Sequence, residues 1–138
     1  MNKGLKLAYI PKIWTTLCYL VLLMVVFILF LGRKKESLQI DFLMNNFQEF
    51  YTHISNFSIS FMFALVAGYM SVLQTGKLKF TMIVIGFIIL ANLFYENFLT
   101  ILNTPDQIDA IYGIVGAILP IIYLIVHQNW GIIPNPNS

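Results

Sequence analysis

Charge is scarce in this chain: only 10% of its residues carry one, against roughly 25% in ordinary soluble domains. That excludes a solvated surface of the usual extent. A formal net charge of +2, scattered along 138 residues, excludes the basic footprint of a nucleic-acid binder. Cysteine is nearly absent. Cys18 stands alone, so no internal disulfide forms, and its place inside an apolar run predicts a buried, inert thiol. His53 and His127 are the only histidines. They fall near opposite ends of the expected fold, so they do not ligate one metal or haem iron together. No Ser-His-Asp set, Cys-His pair or metal-spaced cluster appears along the sequence. Neither a catalytic centre nor a metal or other cofactor is therefore expected.

What the chain has in abundance is apolar length. Apolar residues make up 59% of it, and mean hydropathy is +0.80. Four runs carry this excess, at residues 13–31, 54–73, 80–102 and 108–126. Each is about the ~20 residues that a helix needs to cross ~30 Å of hydrocarbon. The expected fold is all-α: an integral membrane four-helix bundle forming one domain over residues 1–138. Lys3, Lys6 and Lys12 before the first run look like the charged start of a signal peptide. The run is longer than the roughly 7–15 residues of a signal core, and no small-x-small cleavage pattern follows. It is expected to be a retained helix.

The connections differ in character. In the first, Ile40, Leu43, Phe47, Phe50 and Ile54 recur at spacings of 3, 4, 3 and 4, one face of a helix. This segment is either an amphipathic helix lying in the interface or an N-terminal extension of the second span. The second connection, residues 74–79, is a tight basic turn. In the third, Thr104 suits an N-cap, Pro105 a first helical position and Gln107 a capping box, so the fourth helix is expected to start near Pro105. Pro120 should kink or loosen it. The tail from Gly131 onward is expected to be irregular.

Lysine and arginine set the orientation. With four spans, Lys3, Lys6, Lys12, Lys77 and Lys79 share the side of both termini, against Arg33, Lys34 and Lys35 on the other. This favours cytoplasmic termini. Small residues mark helix contacts: Ser60, Ala64 and Gly68 on the second span, and Gly113, Gly116 and Ala117 on the fourth. Such stripes let backbones approach where lipid offers no hydrophobic drive.

All six carboxylates fall on one side of this topology: Glu36, Asp41, Glu49, Glu96, Asp106 and Asp109. His53 joins them. Glu96 stands about 24 Å into the third span at ~1.5 Å per residue, near the outer edge of the hydrocarbon, where its burial is bearable but wants a partner. Glu49 and His53, four apart, share a helix face. With Glu96, Asp106 and Asp109 they are the candidate ligand-binding residues of a polar pocket for a cation, an amine or a lipid head group. The alternative is polarity that only anchors helix ends.

Residues 96–120 read ENFLTILNTPDQIDAIYGIVGAILP. This resembles the last two helices of VanZ-like proteins, small bacterial membrane proteins named for teicoplanin resistance. Glu96, Asp106, Asp109 and Gly116 fall at positions where that family carries polar or glycine residues. Glu49 and His53 match in spacing its Asp-Lys-x-x-His stretch. Leu99, Asn103, Gly113 and Phe50 stand where the family has glutamine, arginine, asparagine and lysine. The resemblance implies a non-catalytic protein of the bacterial inner membrane whose outer polar end meets lipid or cell-envelope molecules. A structural or accessory subunit of a larger membrane complex, with other membrane proteins as partners, is the alternative. An embedded acid at mid-bundle, which a proton-coupled exporter wants, is missing.

Overall fold

The computed structural model describes residues 7–47, 49–98 and 106–136, without the side chains of residues 96–98. Among the described residues the fold is all-α apart from one short ladder. In order, β1 (Tyr9–Pro11) leads into α1 (Ile13–Gly32), a 3₁₀ turn (Glu36–Leu38), α2 (Asp41–Asn46), α3 (Phe50–Thr75), α4 (Lys79–Phe98), α5 (Gln107–Ile118), α6 (Pro120–Trp130) and β2 (Ile132–Pro134). Among the described residues, three helical stretches are long and apolar enough to cross a membrane: Ile13–Gly32, Phe50–Thr75 and Gln107–Trp130, the last formed by α5 and α6 together. Lys79–Tyr95 is a shorter apolar helix.

α3 is the centre. Of its apolar window 56% is buried, against 33% for the α5–α6 stretch and 11% for α1. It earns that place through two stripes at helical spacing. Ile54, Phe61, Leu65 and Val72 are buried on one, and Ser60, Ala64 and Ser71 on the other. The second stripe is small, so neighbouring helices come close. A Cβ added at Gly116 of α5 would collide with the backbone carbonyl oxygen of Phe57 on α3. One added at Gly68 would meet Leu124 of α6 and Thr81 of α4. One added at Gly113 would strike the Asn92 side chain of α4, whose amide donates to Ser60 Oγ at 3.0 Å and to its own helix at the Ile88 carbonyl, 2.8 Å. Asn92 thereby ties α4 to α3 while resting on α5. Ala64 and Ala117 are fully buried with Ile85 in the same seam.

α1 leans on this centre along one stripe only. Tyr19, Leu22 and Val26 pack against Phe61, Leu65 and Tyr69, and Tyr19 stacks on Tyr69 with ring centroids 4.2 Å apart. Ile13, Leu17, Leu20, Met24 and Phe27 face outward. Cys18 belongs to this outward face and is exposed, which corrects the expectation of a buried thiol. An apolar run marks a lipid-compatible helix, but a helix with one packed stripe exposes most of its apolar side chains.

Chain ends and turns fix the alternation of direction. The N-terminal end of α1 meets the C-terminal end of α6: Lys12 N–H donates to the Gly131 carbonyl at 2.7 Å, and Thr15 Oγ1 donates to the same oxygen at 3.0 Å. β1 and β2 extend this contact as an antiparallel pair, with Ile10 opposite Ile133. The tail is thus a strand over Ile132–Pro134 where an irregular segment was expected. Its ladder partner lies more than a hundred residues away, and no local pattern announces it. The turn from α3 to α4 closes at the same rim, on Gly76, whose φ of 68° is the left-handed helix cap that glycine adopts without penalty. The C-terminal end of α1 meets the start of α3 at the opposite rim, where Arg33 donates to Ser55 Oγ at 2.6 Å.

The first connection divides where two readings were open. α3 begins at Phe50, four residues before the second apolar run. Asp41–Asn46 forms a separate short helix with no buried residue, held by Tyr51, whose hydroxyl accepts from Ile40 N–H at 2.9 Å. The fourth stretch begins later than expected. Asp106, not Thr104, is the N-cap of α5, accepting from Ile108 N–H at 2.8 Å; Thr104 and Pro105 lie outside the described residues. Pro120 divides α5 from α6: it has no N–H to donate, and Leu119 bridges the two in helical geometry, φ −56° and ψ −38°.

Candidate functional site at the acidic rim

The rim where α1 ends, α3 begins and α5 begins gathers four of the five candidate residues. His53 sits on the first turn of α3 and is 5% exposed. Its position follows from the α3 stripe: Ile54 beside it is fully buried, which turns this part of α3 against α5. Its Nδ1 lies 2.9 Å from Asp109 Oδ1 and 3.6 Å from Asp106 Oδ2. Its Nε2 faces Oε2 of Glu49, the N-cap residue of α3, at 3.6 Å. The first distance is a hydrogen bond and the other two are longer polar approaches. Asp106 divides its oxygens, one capping α5 and one turned toward the imidazole. Asp109 is carried by the first turn of α5. Its side chain is 25% exposed and that of Glu49 72%, so the cluster grades from buried imidazole to open carboxylate.

The fifth candidate, Glu96, lies on α4, and its side chain is outside the described residues. His127 is at the other rim, fully buried near the end of α6. It stacks on Tyr69 and Tyr123 with centroids at 4.5 and 5.7 Å, and neither ring nitrogen has a hydrogen-bond partner among the described residues. The two histidines therefore stand apart. His53 nonetheless has two partners of another kind. Its ring nitrogen and one oxygen each from Asp106 and Asp109 all lie within 4.8 Å of one another. Spacing along the sequence showed no such set, because the three atoms meet only when α3 and α5 pack.

Two cavities adjoin this cluster. One, of about 450 Å³, is lined by Asn45, Asn46, Glu49 and His53, with Tyr112 and Phe50 as further walls. The other, of about 250 Å³, is an almost wholly apolar groove formed by Leu43, Phe57, Ile111 and Val115. Phe47, Phe50 and Tyr112 belong to both. Tyr112 stands with its ring centroid 5.5 Å from that of His53 and 6.1 Å from that of Phe50. The contribution of Phe47, Phe50 and Tyr112 was not anticipated from the sequence. Phe47 and Phe50 had been placed only as apolar face residues, and Tyr112 lies one helical step beyond Asp109, the sole local hint. A third cavity, between α1 and α3, carries Arg33 and Lys34, so the same rim offers a basic recess beside the acidic one.

The arrangement can neutralise or hydrogen-bond a polar group at the His53 end while accepting an aliphatic chain at the Val115 end. Comparison with protein-family models, curated proteins and solved structures finds no match to this chain.

Proposed function

We propose that this chain is a VanZ-like integral membrane protein of the bacterial inner membrane, crossing four times with both termini in the cytoplasm. At its acidic rim it holds a membrane amphiphile and catalyses no reaction. The amphiphile's polar head sits in the pocket beside His53, Glu49 and Asp109, and its chain lies in the groove beside Phe57 and Val115. The observation that carries this reading is the shared wall: Phe47, Phe50 and Tyr112 bound a polar cavity on one side and an apolar groove on the other. A site for a small soluble ion has no use for the groove, and a packing defect has no use for a wall of Asn45, Asn46, Glu49 and His53. A lipid-like molecule uses both. The fourth crossing is supported by the meeting of α1's start with α6's end, which requires an even number of passages. α4 supplies the remaining one, and the solvent-facing α2 with exposed Phe42 and Met44 lies in the interface as a short amphipathic segment.

The test is lipid analysis of protein purified from its native membrane in mild detergent. One amphiphile class should be enriched over the bulk membrane, and Val115→Trp, which fills the groove, should abolish the enrichment. Lipids that mirror the bulk membrane for both proteins would end this reading. A stoichiometric second protein in the preparation would support an accessory-subunit role instead.

A further inference from the structure

We infer that His53, Asp106 and Asp109 bind a divalent transition-metal ion, of which Zn²⁺ is the representative. The inference deepens the reading of the acidic rim as a binding site and rests on it, since His53 lines the polar pocket and the two aspartates stand beside that imidazole.

The first support is spacing. A Zn²⁺ ion takes nitrogen and carboxylate ligands at about 2.0–2.2 Å in tetrahedral geometry, which sets ligand atoms roughly 3.3–3.5 Å apart. His53 Nδ1 stands 2.9 Å from one aspartate oxygen and 3.6 Å from the other, values that straddle that edge. All three atoms lie within 4.8 Å of one another, and side-chain rotation is what brings them to one ion.

The second support is the surroundings of the imidazole. Both nitrogens of the 5% exposed ring face carboxylate oxygens, Nδ1 those of Asp109 and Asp106 and Nε2 that of Glu49. With a cation held by Nδ1 and the two aspartates, Nε2–H is directed toward Glu49, 3.6 Å away. Metal-ligating histidines almost always donate their second N–H to an outer carboxylate, a backbone carbonyl or water. One imidazole and two carboxylates form a mixed N/O set, which suits Zn²⁺ or Mn²⁺ rather than the thiolate-seeking metals. Three protein ligands leave a fourth position for water or for an oxygen of the amphiphile's head.

The third support is rigidity. His53 is carried by the central helix, and both aspartates stand on the first turn of α5 or at its cap. The close approach of Gly116 to Phe57 holds these two helices together.

The experiment uses the full chain, purified in detergent, stripped with a chelator and titrated with Zn²⁺ alone by calorimetry, with metal content measured after desalting. One Zn²⁺ per chain is expected. Asp109→Asn and His53→Gln should each weaken binding at least tenfold, and Glu49→Gln should weaken it while keeping the stoichiometry of one. His127→Gln should leave binding unchanged. Because a His53 variant can misfold, Co²⁺ bound to the wild-type chain supplies an independent readout: a visible spectrum of four-coordinate Co²⁺ with nitrogen and oxygen ligands. Absence of stoichiometric Zn²⁺ binding to the wild-type chain, or binding that survives both Asp109→Asn and His53→Gln, overturns the inference. Val115→Trp separates the two readings. It should remove amphiphile enrichment and leave Zn²⁺ binding intact, so failure of one is seen without failure of the other.

Discussion

Replacing Gly116 by alanine probes whether α3 and α5 must meet backbone to backbone for the rim cluster to form. The new Cβ would overlap the Phe57 carbonyl oxygen and stand 2.9 Å from the carbonyl carbon and Cα of the same residue. Ordinary contact begins at 3.4 Å, so α5 must retreat by at least about 0.5 Å, and further to clear the oxygen. The obstacle is helix backbone, which cannot rotate away as a side chain does. Overpacking of this kind costs about 1–3 kcal/mol. The retreat also reaches the site. Phe57 lies one turn from His53 on α3, and Gly116 lies seven residues from Asp109, on the same face of the α5 helix. A comparable shift there would stretch the 2.9 Å contact between His53 and Asp109 beyond the ~3.2 Å range of a good N–H···O bond. Gly86 of α4 is the control, because no atom of the described residues lies within 4 Å of a Cβ placed there. Gly86→Ala should be neutral or stabilising by up to about 1 kcal/mol, the helix-propensity difference. Unfolding in mixed micelles of rising SDS content, followed by circular dichroism, measures both variants. Gly116→Ala should lose about 1–3 kcal/mol while Gly86→Ala does not. Equal stability of the two would refute the backbone-contact argument.

Three further outcomes follow from the same geometry. Asn92→Ala should lower stability by about 0.6 kcal/mol and at most about 1.7 kcal/mol, the range for hydrogen bonds between membrane helices; in a double-mutant cycle with Ser60→Ala the two changes should not add, and additivity would mean that the 3.0 Å bond contributes nothing. Asp109→Asn should destabilise the chain by roughly 1–3 kcal/mol, because it weakens the closest partner of a buried imidazole, whereas Glu49→Gln, at a 72% exposed side chain, should change stability by less than about 0.5 kcal/mol; a larger effect from Glu49 would show that the burial order of the cluster is wrong. Cys18, on the outward face of α1, should resist a membrane-impermeant maleimide in intact membranes, while single cysteines at Glu36 and Lys77 in a Cys18→Ser background should label from opposite sides; labelling of both from one side would remove the four-crossing topology.

Much of the fold was legible because its strongest signals are local. Apolar length marked the helices, and Gly76 and Pro120 marked a turn and a break, each through a property of its own backbone. Helix boundaries were legible less well. Thr104, Pro105 and Gln107 form a plausible cap, yet Asp106 takes the role, since several polar residues in one connection compete for the same exposed N–H groups. The candidate site was half legible. Glu49 and His53 were paired by a spacing of four, but their partners on α5 were grouped with them only by membrane side. Their contact depends on which faces of α3 and α5 meet.

The sequence by itself determined the solvent, the helical class and the crowding of carboxylates toward one end, because hydropathy and charge act residue by residue on a helix in lipid. Only the tertiary structure decided that Cys18 faces outward, that Ile132–Pro134 pairs with Tyr9–Pro11, and that His53 meets Asp109 across 56 residues of chain. Those outcomes rest on helix rotation and close packing at small residues, and both are set by neighbours that no local window contains.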